Sequence, residues 1–245
     1  MIIANQQRKL WKKIMKKFKI LVLIISVVLL FGCTTEDSDS LKFKEEYESL
    51  NGVVNSYGKE NRKLSIPKNN PFIYKTDAEI VDMINKKESF VVYFGFSSCP
   101  WCRSVIPSLI EVANDLNYNT IYYVDVKDIR NTLELDDNNE VNETKQGSES
   151  YYKLLELLSD VLKDYNLTDK DGNTVETGQK RIYAPSVVSI INGKAEELET
   201  GISSLQTDPY MELSDKMKSE SYNVFKCVIK CVSESKTTCS LEKSC

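Results

Sequence analysis

The chain has 245 residues, 28% of them charged, with 32 Lys and Arg against 36 Asp and Glu for a net charge of −4. Beyond residues 1–32 no basic cluster stands beside its aromatic residues, so nucleic acid is not an expected partner. It contains no histidine, which excludes a histidine base, a histidine metal ligand and a histidine-bearing redox motif.

Residues 1–19 hold seven basic residues (Arg8, Lys9, Lys12, Lys13, Lys16, Lys17 and Lys19) and no acidic one. The apolar run Ile20–Phe31 follows, too short for a comfortable membrane span, and then Gly32-Cys33. This is the layout of an export signal. Leu30-Phe31-Gly32-Cys33 resembles the bacterial lipobox, which implies removal of residues 1–32, diacylation of Cys33 and attachment to the membrane through the lipid. An uncleaved signal anchor gives the same address, the extracytoplasmic face. Without residues 1–32 the chain keeps 25 basic residues against all 36 acidic ones, a net −11, and stands off an anionic surface. Richness in Lys, Asn, Ile and Tyr suggests a Gram-positive bacterial source.

Residues 33–70 read as an acylated tether and N-terminal extension, with helical spacing for a turn or two over Leu41–Leu50. Residues 71–210 read as one α/β domain and 211–245 as a terminal helix with a cysteine-rich tail. Asp77–Lys86 is amphipathic, with Thr76 or Asp77 as its cap. Strands are expected at Phe90–Phe96, Ile121–Val126, Ser186–Ile191 and Lys194–Thr200, and a helix at Arg103–Leu116. An insertion fills about residues 130–180. Within it, Leu133–Gln146 is polar and mobile by composition. Tyr151, Leu154, Leu155, Leu158, Val161, Leu162 and Tyr165 recur at helical spacing, predicting a helix over 147–167. Asp169-Lys-Asp-Gly-Asn173 imitates the start of a calcium loop, but its sixth and twelfth positions are Thr174 and Lys180, and a turn is the better reading.

Cys99-Pro100-Trp101-Cys102 sits between the apolar strand and the helix. Two cysteines at this spacing meet across one helical turn and can close a reducible ring. The first stands where unpaired N–H groups and the helix dipole favour an anion, which lowers a thiol pKa from about 8.5 and makes a thiolate nucleophile. Cys102 would resolve the mixed disulfide. A structural disulfide or half a zinc site is the plainer alternative, though no second CxxC is present.

The ordered set of strand, CPWC, Pro107, Ala184-Pro185, strand, Asn192-Gly193, strand and Gly201 resembles the thioredoxin superfamily over roughly residues 72–232. The resemblance implies a thioredoxin-like fold, a mixed central sheet flanked by helices, with a helical insertion before the cis-proline strand. It implies that Cys99 and Cys102 are catalytic. Pro100, Trp101, Ala184, Pro185 and Gly201 would form the active-site surface and substrate groove. No cofactor and no metal are implied. The stretch Tyr93–Arg103 looks most like the bacteriocin-transport accessory proteins and related thioredoxin-fold lipoproteins. That implies partners among exported thiol- or disulfide-containing polypeptides, and a membrane redox partner that the sequence does not identify.

The chain departs from the family at Tyr93, where thioredoxins carry a buried acid, and at Ser98, where an aromatic is usual. Tyr93 reads as a core residue with a satisfied hydroxyl. Four cysteines remain after Cys33, Cys99 and Cys102: Cys227, Cys231, Cys239 and Cys245. An even remainder in an exported protein argues for two structural disulfides. At i, i+4 on a helix, Cys227 and Cys231 are too far apart to bond each other, so each is expected to pair with the tail. A four-cysteine metal site, a redox relay and free thiols stay open as alternatives. The function expected is a membrane-tethered thiol–disulfide oxidoreductase. A non-catalytic accessory protein of a peptide export system is the alternative, and a thiol peroxidase, faintly suggested by Ser-Ser-Cys with Arg103, is the third reading.

Overall fold

Phe90–Gly95 offers apolar or small residues to both faces, and it forms β2, the middle strand of a five-stranded sheet. The computed structural model describes residues 38–56 and 58–234. The expected export signal, Cys33, Cys239 and Cys245 lie outside these residues.

In chain order the elements are α1 (Asp39–Glu48), β1 (Phe72–Tyr74), α2 (Asp77–Asn85), β2 (Phe90–Gly95), α3 (Pro100–Asp115) and β3 (Ile121–Asp125). There follow β4 (Thr132–Leu135), β5 (Val141–Lys145), α4 (Glu149–Leu157), β6 (Lys163–Thr168) and β7 (Thr174–Arg181). β8 (Ser186–Ile191), β9 (Lys194–Glu199) and α5 (Asp215–Ser233) complete the domain. The main sheet has the order β1-β3-β2-β8-β9. β1 and β2 run parallel to β3, β8 is antiparallel to β2, and β9 is antiparallel to β8. With a CxxC helix leaving β2 and a cis-proline entering β8, this is a thioredoxin-like fold with an inserted segment before β8.

Alternation along β2 divides the core. Val91 and Tyr93 join one cluster with Phe43, Tyr47, Ile106, Leu109 and Phe225, covered by α1, α3 and α5. Phe90, Val92 and Phe94 join the other with Ile80, Tyr151 and Leu154, covered by α2 and α4. α2 is held at its start by a capping box, Thr76 Oγ1 accepting from Glu79 N (3.2 Å) and Glu79 Oε2 accepting from Thr76 N (2.8 Å). α1 is longer than a turn or two and carries Phe43 and Tyr47 fully into the core.

The insertion differs from expectation in two places. The segment expected to be mobile contains the hairpin β4–β5. The helix expected over 147–167 ends at Leu157, and Lys163–Thr168 is a strand paired with β7. Val161 and Leu162 turn back on the Leu158 carbonyl (3.0 and 3.1 Å), after which the alternation Tyr165, Leu167 takes over. Tyr165 kept the helical spacing by coincidence. The pairing that decides its state comes from residues beyond the Asp169–Asn173 turn, out of reach of a local periodicity. That turn closes on Asp169, whose Oδ1 accepts from Asp171 N and Asn173 N at 2.9 and 2.7 Å.

Candidate functional site

β2 delivers the chain to the edge of the core, Phe96–Ser98 turn it, and Cys99 becomes the N-cap of α3 with Pro100 in the first turn. Cys99 Sγ accepts from Cys102 N at 3.2 Å, occupying the place a serine or aspartate oxygen takes in an ordinary cap. Cys99 and Cys102 therefore lie close together, and both are buried.

The Ala184–Pro185 bond is cis, and this loop lies against the motif: Cys99 Sγ is 3.5 Å from the Ala184 carbonyl oxygen. Trp101 is half-buried against the α3 side of the core, and its carbonyl accepts from Ser104 Oγ at 2.7 Å. Gly201 is buried with φ +67°, and a Cβ there would come within 2.1 Å of the Phe225 ring. Its glycine requirement is thus set by the seat of α5.

The two thiols are driven apart electrostatically. The Cys102 side chain, with the N–H groups of Cys102 and Trp101 and the Arg130 cation, holds the Cys99 pKa below its ordinary value against the opposing effect of burial. Burial, then the neighbouring Cys99 sulfur, holds Cys102 well above its own. The first sulfur is thus the more readily ionised and the second the less so, which is the asymmetry that attack followed by resolution requires.

Three contributors were not legible as site residues. Arg130, after β3, lies over the Phe96 ring at 5.2 Å and faces the thiols electrostatically. Arg103 is fully buried; it donates to the carbonyls of Tyr47 (2.8 Å), Ser97 (3.1 Å) and Arg62 (2.6 and 3.0 Å) and to Asn51 Oδ1 (2.7 Å). It thereby ties the turn before Cys99 to the N-terminal extension. Its position on the inward stripe of Cys102, Ile106, Leu109 and Ile110 was the available signal. With its donors spent on these oxygens, Arg103 does not supply the cation a peroxidase site needs beside Cys99. Tyr47 meets Tyr93, hydroxyl to hydroxyl, at 3.1 Å.

No family model and no curated protein matches the chain. A solved structure similar to it is thioredoxin O2 from Arabidopsis thaliana in its oxidized state. The two are 18% identical, the match covers 58% of this chain and 96% of that one, and the TM-score is 0.30.

On α5, Cys231 is fully buried and disulfide-bonded, and Cys227 is not its partner, in keeping with their helical separation. Among the described residues no cluster of three or more metal-ligating side chains occurs, and no helix is long and apolar enough to cross a membrane.

Proposed function

We propose that the protein is a thiol–disulfide oxidoreductase, tethered to the extracytoplasmic face of the membrane through Cys33 and acting on exported polypeptides. The observation that carries this reading is the opposed poise of Cys99 and Cys102 beside the cis-proline loop. Cys99 is the nucleophile and Cys102 resolves. The Ala184 carbonyl and Pro185, within reach of Cys99, offer an extended client backbone a surface on which its sulfur can approach. The tether and the exported clients are supported by the basic and apolar N-terminal sequence ending in Gly32-Cys33.

In cells, Cys102→Ser is expected to accumulate mixed disulfides with exported polypeptides, because the thiolate of Cys99 still attacks and nothing resolves. Diagonal electrophoresis reads this out. A protein that only binds peptides in its groove would trap none. Cys33→Ser is expected to shift the protein from the membrane fraction or leave an unprocessed precursor, and unchanged fractionation would argue against the lipid tether.

A further inference from the structure

Tyr93 stands on β2, six residues before Cys99, fully buried, at the position where a carboxylate would take a proton from a resolving thiol. Its hydroxyl lies 3.1 Å from that of Tyr47 on one side, and the buried Cys102 side chain is its electrostatic neighbour on the other. A Cβ on Gly95 would come within 2.1 Å of that hydroxyl oxygen, so the glycine leaves the space it occupies. Tyr47, from α1, packs against Tyr123 of β3. The Tyr123 ring stacks on Tyr93 with centroids 5.5 Å apart and meets Tyr47 edge-on at 6.2 Å. At the far end Tyr123 donates to Glu46 Oε1 at 3.4 Å, and the Glu46 carboxylate, half-buried and reachable by water, also accepts from Tyr74.

A closely packed row of exchangeable protons thus runs from the buried sulfur to a half-buried carboxylate. We propose that Cys102, Tyr93, Tyr47, Tyr123 and Glu46 form a proton wire that drains the Cys102 thiol when it resolves a mixed disulfide. This rests on the redox reading above. The Cys102 proton passes to Tyr93 as the Tyr93 proton passes to Tyr47, that of Tyr47 to Tyr123 and that of Tyr123 to Glu46. The Cys102 sulfur then attacks Cys99 Sγ, the Cys99–Cys102 bond forms, and the bond from Cys99 to the client sulfur breaks. The client leaves as a thiolate that takes a proton from water; it is reduced and the pair is oxidised. Burial holds all three hydroxyls well above the ordinary phenol range, so they hand protons on without settling as phenolates. Tyr93 neighbours the reacting thiol; Tyr47, Tyr123 and Glu46 act through it.

The test follows the reduced full chain reacting with 5,5′-dithiobis(2-nitrobenzoate), subtracting the trace of Cys99→Ser. Attack by Cys99 releases a first nitrothiobenzoate, and resolution by Cys102 releases a second, which Cys102→Ser should lose. Tyr93→Phe, Tyr47→Phe and Glu46→Gln should each leave the first release unchanged and slow the second by about tenfold or more. The solvent deuterium isotope effect on the second release should shrink in Tyr47→Phe, although its Tyr93–Cys102 contact is intact. Circular dichroism checks that each variant is folded, and the Phe variants keep the rings. Wild-type second-phase rates in Tyr47→Phe and Glu46→Gln would overturn the wire and leave Tyr93 a purely structural neighbour of Cys102. Absence of any Cys99-dependent release in the wild type would instead bring down the redox reading beneath it.

Discussion

Cys99 and Cys102 sit on one turn of one helix, yet their environments differ by where each sulfur points. Cys99 faces two backbone N–H groups and a neighbouring thiol, whereas Cys102 is fully buried beside Tyr93. With the Cys99 pKa lowered and that of Cys102 raised, Cys99 carries the larger thiolate fraction of the two at a given pH. Iodoacetamide at about pH 7 is therefore expected to alkylate Cys99 at least tenfold faster than Cys102 in the reduced protein. Peptide mapping after a short pulse checks this, and equal labelling would contradict the assignment. Lowering the pH through the Cys99 pKa should remove the advantage. The spacing of the pair and its place at a helix start were readable in the sequence. Arg130 was not, since only the fold brings it back over Phe96 from beyond β3.

At the scale of elements, α3 is fixed as much by Arg103 as by its apolar stripe. Replacing Arg103 by Met would keep bulk and leave buried carbonyls of Tyr47, Arg62 and Ser97 without their donor. The expected loss is about 3 kcal/mol, or a fall in Tm of roughly 10 °C in a thermal melt, and a change of a degree or two would refute the clamp. The contact of β9 with α5 makes a second prediction. Glu197, half-buried near Glu199 and 3.7 Å from Cys231 Sγ, has its pKa raised from 4.5 to about 7, by burial first and then by Glu199. A raised folded pKa means that the contribution to stability is present below the unfolded value and lost as pH climbs from 4.5 to about 7. Glu197→Gln should match the wild type near pH 5 and melt higher than it near pH 8. An equal difference at both values would contradict the shift. Elements set by local pattern, such as α2 with its Thr76 cap, β2 and α5, were legible from sequence. β4 to β7 were not, because hairpin partners and a tight turn at Leu158 overrode a helical spacing.

For the described residues as a whole, the N-terminal extension belongs to the same domain as the CPWC motif. Phe43 stacks on Phe72 at 3.9 Å and on Tyr47 at 4.4 Å, and Tyr47 reaches the strand that feeds the motif. The sequence marked residues 41–50 as helical but gave no sign that they close the floor beneath Cys102, since aromatic stacking between distant segments leaves no local pattern. The central claim is that one buried pair turns over disulfides, and dithiothreitol-coupled reduction of insulin measures it directly on the full chain. Wild type should accelerate precipitation of the insulin B chain, Cys99→Ser should fall to the uncatalysed rate, and Cys102→Ser should lose nearly all turnover. Acceleration by Cys99→Ser equal to that of the wild type, or none by the wild type, would contradict the account.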